Sequence, residues 1–103
     1  MTYYEVTYIV SPELDEEKLS ETLERYQNLV QEQGGRVLNV NKWGKRRLAY
    51  EIADRREGVY VTMQFAGNVQ VTDELDRSFK LAEEVLRHLI VRISQDQVVE
   101  EQA

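Results

Sequence analysis

Residues 43–52 combine basic and aromatic side chains in a way that suits nucleic-acid binding. The stretch reads WGKRRLAYEI, so three consecutive bases stand between Trp43 and Tyr50, and Arg55 and Arg56 follow shortly after. Guanidinium groups form bidentate hydrogen bonds with phosphates, and aromatic rings stack on bases. The stretch therefore predicts contacts with an RNA backbone. The alternative is that the two aromatic residues fill the core or a bulge, while the bases form a solvated rim.

Enzymatic chemistry has little support in this sequence. A nucleophilic triad needs a serine beside a histidine that a carboxylate orients, yet His88 is the only imidazole and no motif surrounds it. The chain has no cysteine, which removes thiol nucleophiles and thiolate metal sites. Its glycines match neither GxGxxG nor a P-loop. We expect no enzyme activity, cofactor, metal or small-molecule substrate. We interpret His88 as a partly buried strand residue, with a polar role at an interface as the alternative.

Length and composition predict one folded domain. The chain has 103 residues, of which 42% are hydrophobic and 31% charged, and a single proline. This balance excludes a disordered or low-complexity chain. No stretch approaches the roughly 18 apolar residues of a membrane span, and residues 1–5 lack the basic start and apolar run of a secretory signal. We expect a soluble, cytoplasmic protein with no membrane partner.

Charge is distributed unevenly along the chain. The net charge of −6 at pH 7 by itself argues against a polyphosphate partner. Residues 1–33 carry two bases against eight acids, whereas residues 34–60 carry seven bases against three acids. This asymmetry predicts an acidic surface turned to water and a basic region turned to an anionic partner. A randomly mottled surface is the alternative.

The first third of the chain predicts a strand followed by a helix. A β-rich alternating run ends at residues 11–12, where Pro12 cannot continue a central ladder. Asp15 fits an N-cap, and the two glycines at 34–35 supply a left-handed stop. Between them, apolar residues recur at helical spacing and define one buried face. These residues are Leu19, Leu23, Tyr26 and Val30.

The remainder predicts two strands, a second helix and a last strand. Residues 36–52 are extended, and at about 3.3 Å per residue they would span about 56 Å, so we expect a bulge or bend at Trp43-Gly44. Residues 54–58 have the composition of a hairpin connection, and residues 59–65 alternate as the next strand. Asn68 can cap a helix whose apolar positions repeat every three or four residues, and residues 85–93 form the last strand. Those apolar positions are Val71, Leu75, Phe79 and Ala82.

The element order βαββαβ predicts an α+β, ferredoxin-like sandwich. Two helices with one apolar stripe each bury it against one face of a four-stranded antiparallel sheet, and right-handed crossovers give the split layout. We place this domain at residues 1–93 and predict an acidic, disordered tail at 94–103. The fold alone decides nothing about activity.

The chain resembles the bacterial small-subunit ribosomal protein six family over residues 1–93. Its most specific piece is the run at 43–52, which is similar to the family's W-G-x-R-x-L-A-Y-P-I, with support from Tyr4-Glu5 near the start. Further similarity lies in Ser11-Pro12 with Asp15, in Gly34-Gly35, and in Val85-Leu86-Arg87 with Arg92. The resemblance departs from the family at Glu51, where members usually have proline, and at Thr2, where a basic residue is frequent. It departs also just before the last strand, where Ala82-Glu83-Glu84 stand in place of frequent bases and put RNA contact at that corner in doubt.

The resemblance implies a structural, non-catalytic component of the small ribosomal subunit. Such a component would bind the central domain of small-subunit ribosomal RNA together with ribosomal protein eighteen, in the cytoplasmic ribosome of a bacterial or organellar type. Together, the residue chemistry and the resemblance nominate a set of side chains for RNA or partner binding. The set is Trp43, Lys45, Arg46, Arg47, Tyr50, Arg55, Arg56, Arg87 and Arg92.

Two functions of other classes compete with this one. A free single-stranded RNA reader of the RRM kind shares the element order and places aromatic residues on the two central strands. The third predicted strand offers Tyr60 but not the aromatic-rich pattern of such readers. A small-ligand regulatory domain is allowed by the fold and has no residue signature.

Overall fold

The computed structural model describes residues 2–52 and 54–99. Its elements follow the chain in the order strand, helix, strand, strand, helix, strand, as the sequence predicts. They are β1 (Thr2–Val10), α1 (Glu16–Glu32), β2 (Arg36–Ile52), β3 (Arg55–Gly67), α2 (Val69–Leu81) and β4 (Val85–Ile93), followed by a 3₁₀ turn at Gln95–Gln97.

The strands form one antiparallel sheet in the order β2-β3-β1-β4, with β3 and β1 in the centre. In this register, Val6 of β1 lies opposite Met63 of β3 and Ile90 of β4. Because side chains alternate across a strand, these three face the helices together. We call the other side of the sheet the open face. It carries Tyr3, Glu5, Thr7, Tyr60, Thr62, Gln64, Leu89 and Val91.

The hydrophobic core lies between the sheet and the two helices, which confirms the ferredoxin-like sandwich. Tyr8, Tyr26 and Phe79 pack at its centre, with ring centroids between 4.3 and 5.3 Å apart. Burial raises the pKa of the Tyr8 and Tyr26 hydroxyls above the ordinary value, so both rings stay neutral inside the core. The other buried apolar members of this cluster are Val6, Val10, Leu19, Val30, Val59, Val61, Met63, Phe65, Val71 and Leu75.

Both helices begin at the predicted N-caps, and α1 ends before the predicted glycines. The second helix ends at Leu81, so Ala82, predicted on its apolar stripe, is instead the C-cap residue with extended backbone. The Asp15 side chain accepts a hydrogen bond from the Lys18 N–H at 2.8 Å, and the Asn68 side chain accepts one from the Val71 N–H at 3.3 Å. Each bond satisfies a donor that the first helical turn leaves free. Gly34, with φ of 89°, terminates α1 in the left-handed region. Neither helix in the described ranges is long and apolar enough to cross a membrane.

The predicted bulge in β2 lies at Trp43. Lys42 pairs with Val61 and Gly44 pairs with Tyr60, so Trp43 is an extra residue on the β2 side. Gly44 has φ of 88°, which a residue with a Cβ adopts only with strain. A bulge of this kind bends the strand and re-aims one side chain.

The connection between β2 and β3 is shorter than the sequence predicts. Ile52 lies opposite Arg55, and Asp54 has φ of 64°. Residues 55–58 therefore belong to β3, and the prediction that 54–58 form the connection is wrong. Gly58 serves close packing rather than a turn, since a Cβ at this position would collide with Ile9. Polar composition does not distinguish a loop from a strand pair that extends beyond the body of the sheet.

After β4 the chain turns back toward the sheet. Ser94 precedes the 3₁₀ turn, and its N–H donates to the Gln97 side chain at 2.8 Å. Residues 97–99 then form hydrogen bonds with side chains of the open face. Disorder over 94–103 stays a prediction, and its last four residues lie outside the described ones.

Candidate RNA and partner interface

The bulge places Trp43 over the open face in a fixed orientation. Its indole Nε1 donates to the Thr62 hydroxyl at 2.8 Å, across to the neighbouring strand. The side chain is nevertheless 52% exposed, so it is not a core residue. An exposed ring that is already fixed loses little conformational entropy when another flat group stacks on it.

The three consecutive bases continue from this bulge along the extended arm of β2. All three are exposed, and within the described residues none forms an ion pair. Arg46 pairs with Gly58 and lies on the side of Trp43, where it lines a shallow cavity of about 230 Å³ with Thr7, Tyr60 and Thr62. Lys45 and Arg47 alternate to the opposite side. The arm therefore carries positive charge on both sides.

The two arginines after the turn are held by acids. Arg55 donates through Nη2 to Glu13 Oε2 at 3.0 Å, and Arg56 donates through Nε to Glu51 Oε1 at 3.1 Å. These pairs are largely exposed and of modest strength. They nevertheless reduce the local positive charge, so the cationic focus of the arm is residues 45–47 rather than its tip.

Tyr50 and Arg87 meet although they lie on different strands. The guanidinium carbon of Arg87 stands 5.8 Å from the centroid of the Tyr50 ring, which is 58% exposed. Because Arg87 pairs with Ile9, it projects from the open face. The arm of β2 thus curves over this face until it reaches β4. Leu48 supports the curvature, since it is buried beside Gly58 and Ile9.

Arg92 lies apart from the other nominated residues. It pairs with Tyr4, which stacks on Phe65 and packs against the core, so Arg92 projects on the helix side of the sheet. There it lines a cavity of about 390 Å³ together with Asp73, Asp76 and His88. The structure therefore groups Arg87 with the basic arm and leaves Arg92 on the other side of the sheet.

His88 is a partly buried strand residue between β4 and α2. Its Nε2 lies 2.7 Å from Asp76 Oδ1, and its ring stacks on Phe79 at 5.0 Å. Lys80 and, next, His88 hold the pKa of Asp76 below its ordinary value through hydrogen bonds. The Thr72 hydroxyl, which also lines this cavity, donates to the Val69 carbonyl. The pair of His88 and Asp76 joins β4 to α2. Residues 2–52 and 54–99 contain no group of three or more side chains that could hold a metal ion.

Sequence reasoning missed a cluster of amides on the open face. Gln64 is only 3% exposed, although it lies on β3 between apolar neighbours. It accepts from Asn39 Nδ2 at 2.7 Å and donates to Glu5 Oε2 at 2.8 Å. A glutamine inside an otherwise apolar strand was the available signal, because a buried amide requires partners.

The fold is a ferredoxin-like sandwich, and its site combines an exposed basic arm with a fixed, exposed tryptophan. These features indicate a protein whose role is binding or structural. Comparison with known proteins identifies the family. A family model described as Ribosomal protein S6 matches residues 3–92. This chain belongs to the Ribosomal protein S6 family, which confirms the resemblance drawn from residues 43–52.

Relatives and a solved structure agree with this assignment. The chain is 48% identical over 95 residues to "Small ribosomal subunit protein bS6" of Alkaliphilus metalliredigens, covering 92% of this chain and 100% of the relative. It is 47% identical over 92 residues to the protein of the same name from Desulforamulus reducens, covering 89% and 97%. The crystal structure of 30S ribosomal protein S6 from Thermotoga maritima superposes with a TM-score of 0.85 at 29% identity, covering 89% of this chain and 87% of that one.

Family membership confirms several expectations. The chain is a small-subunit ribosomal protein, a structural rather than an enzymatic component, and it is located in the cytoplasmic ribosome. The named relatives are bacterial. The individual contacts with RNA and with a partner protein stay predictions.

Proposed function

We propose that this chain binds the central domain of small-subunit ribosomal RNA jointly with ribosomal protein eighteen. One observation carries the RNA contact: Lys45, Arg46 and Arg47 form no ion pair within the described residues, and Arg46 lines a cavity with the fixed, half-exposed ring of Trp43. Cations without an acidic partner attract phosphates, and a fixed ring offers a surface for stacking.

The arm is suited to positioning the protein on RNA rather than to reading its sequence. Its cations project on both sides of β2, so they reach phosphates on either side of the arm. Phosphate contacts of this kind fix orientation and carry no direct sequence information. Arg87, held against Tyr50, extends the basic surface toward β4.

The open face is suited to a protein partner. Leu89 and Val91 of β4 expose apolar side chains there, and Glu5 adds a carboxylate in the centre of the sheet. Exposed apolar side chains beside an acid match a basic protein better than a polyphosphate. A basic partner on this face would also offset the net charge of −6, which repels RNA at long range.

The geometry gives less support to the alternative of a free single-stranded RNA reader. Such readers stack bases on neighbouring aromatic residues of the central strands. Here Tyr60 pairs with Ile9 at one end of β1, whereas Tyr3 lies at the other end. Glu5 and Gln64 occupy the space between them. The two tyrosines therefore do not form a continuous stacking surface.

A salt titration of RNA binding tests the role of the arm. We expect the double variant Arg46→Gln with Arg47→Gln to weaken assembly with the RNA and the partner, because it removes two cations that neutralise phosphates. The slope of log affinity against log salt should fall by roughly 0.7–0.9 for each phosphate that is no longer neutralised. The charge-matched control is Lys18→Gln with Arg77→Gln, which removes two exposed cations from the helices.

The proposal requires that the arm variant and the helix variant differ in RNA affinity and in salt slope. Weaker binding with a reduced slope in the arm variant, and wild-type behaviour in the helix variant, would support it. An unchanged slope in the arm variant would reject the assignment of residues 45–47. Equally weakened binding in both variants would indicate a general charge effect and would reject it too.

A further inference from the structure

The C-terminal strap, residues 94–99, binds the sheet through its backbone. The Val99 N–H donates to Gln64 Oε1 at 2.7 Å, and the Val99 carbonyl accepts from Asn39 Nδ2 at 2.8 Å. Gln64 Nε2 also donates to the Gln97 carbonyl at 3.1 Å. The Val99 side chain is 63% exposed. Asn39 and Gln64 thus recognise an extended peptide backbone rather than a particular side chain.

The Gln64 side chain keeps a hydrogen-bond partner for each of its polar atoms when the strap leaves the sheet. Gln64 Oε1 retains its hydrogen bond from Asn39, and Gln64 Nε2 retains its bond to Glu5. A buried amide that loses every partner is costly, whereas one that keeps a partner for each atom is not. Opening of the strap therefore leaves no orphaned group at Gln64. When the strap opens, its backbone N–H and carbonyl groups form hydrogen bonds with water instead.

The strap lies beside the surface assigned to the partner. Val99 and Trp43 line the same cavity of about 300 Å³, together with Glu5 and Thr62. Glu5, Thr62 and Gln64 belong to the open face, so a protein docked there meets residues 97–99. A partner that covers Glu5, Thr62 and Gln64 would occupy the same part of the sheet as the strap.

We infer that the strap is a reversible cover of the open face, which a protein partner displaces when it docks. This inference rests on the proposed function for the identity of the competitor, ribosomal protein eighteen. The apparent affinity of the partner is reduced by the fraction of molecules whose strap is closed. The closed strap of the structure and an open strap, disordered as the sequence predicts, are then two states of one equilibrium.

Val99→Pro tests this inference in the full-length chain, with Val99→Ala as its matched control. Proline removes the N–H that donates to Gln64, whereas alanine retains it. Val98 has φ of −72° and ψ of 125°, a conformation that a following proline accepts. In NMR spectra, we expect V99P to shift the side-chain amide signals of Asn39 and Gln64, and V99A to leave them near their wild-type positions.

Binding of ribosomal protein eighteen, measured by calorimetry for both variants, then decides the outcome. We expect V99P to bind about 2- to 12-fold more tightly than V99A, since the loss of one net hydrogen bond disfavours the closed strap by about that factor. Equal affinities would overturn the inference and leave the proposed function standing. If neither variant binds ribosomal protein eighteen, the inference and the proposed function are both overturned. Tighter binding of V99P to RNA alone would overturn the assignment of this face to a protein.

Discussion

At the scale of single residues, the hydrogen bond from Trp43 to Thr62 determines how the only tryptophan of the chain is presented. Without it, a half-exposed indole on a bulge would sample several rotamers and would lose that freedom on binding. The bulge at Trp43 turns the ring outward, and the hydrogen bond to Thr62 fixes the ring over the open face. Arg46 lies on the same side and would supply positive charge beside the ring in the RNA contact that we propose.

Asp76 provides a pH-dependent prediction at the residue scale. Hydrogen bonds from Lys80 and His88 hold its pKa below the ordinary value of 3.8. A carboxyl with a depressed folded-state pKa contributes stability above the unfolded pKa and loses it as pH falls through the folded one. We expect Asp76→Asn to lower the free energy of unfolding at pH 7 by no more than about 1 kcal/mol, because the carboxylate is 42% exposed and solvent screens its ion pairs.

Urea unfolding of both proteins at pH 7 and at several values below pH 3.8 measures this effect. The difference between them should shrink as the pH falls, since Asp76 then becomes neutral in the wild type as well. A difference that stays constant with pH would contradict the assignment of this stability to the ionised carboxylate.

Residue types alone predicted the basic character of the site but not its arrangement. Arg55 is paired with Glu13, which lies 42 residues away in the chain, and no local pattern indicates such a partner. In β4, apolar residues occupy both faces, so alternation does not reveal that Arg92 faces the helices while Arg87 faces away. Gln64 was missed because its partners come from β1, β2 and the strap.

At the scale of elements, the two helices were predictable because one apolar stripe and a capping residue define each of them. Asp15 and Asn68 cap the helices in the structure as the sequence indicates. The hairpin was less predictable. Gly58 resembles a turn residue in sequence, yet it is required for the approach of Ile9 and Leu48. A requirement of that kind comes from tertiary packing and leaves no local signal.

The packing of α2 provides a prediction at the element scale. Leu75 is fully buried in the core cluster, whereas Leu81 at the end of the same helix is 73% exposed. Leu75→Ala should lower the free energy of unfolding by roughly 2–5 kcal/mol, since it removes apolar packing and leaves a cavity. Leu81→Ala should change it by no more than about 0.5 kcal/mol. Similar effects of both variants in denaturant unfolding would contradict the packing of this helix.

At the scale of the whole molecule, acidic and basic residues are concentrated in different segments of the chain. Residues 1–33, which include α1, carry most of the net negative charge, and residues 34–60 carry the basic arm. The chain therefore repels RNA at distances where its net charge of −6 dominates and attracts it only near the arm. A basic partner on the open face removes part of that repulsion and adds phosphate contacts of its own. This charge distribution therefore predicts the joint recognition that we propose.

The most direct measurement of joint recognition is a titration of a central-domain fragment of small-subunit ribosomal RNA at physiological salt. It compares this chain alone, ribosomal protein eighteen alone, and both together. We expect weak binding by this chain alone and a joint affinity that exceeds either separate affinity by about 5- to 150-fold, the usual range of coupling between two ligands. If this chain alone binds the RNA as tightly as the pair does, joint recognition is contradicted and the free RNA reader becomes the better account.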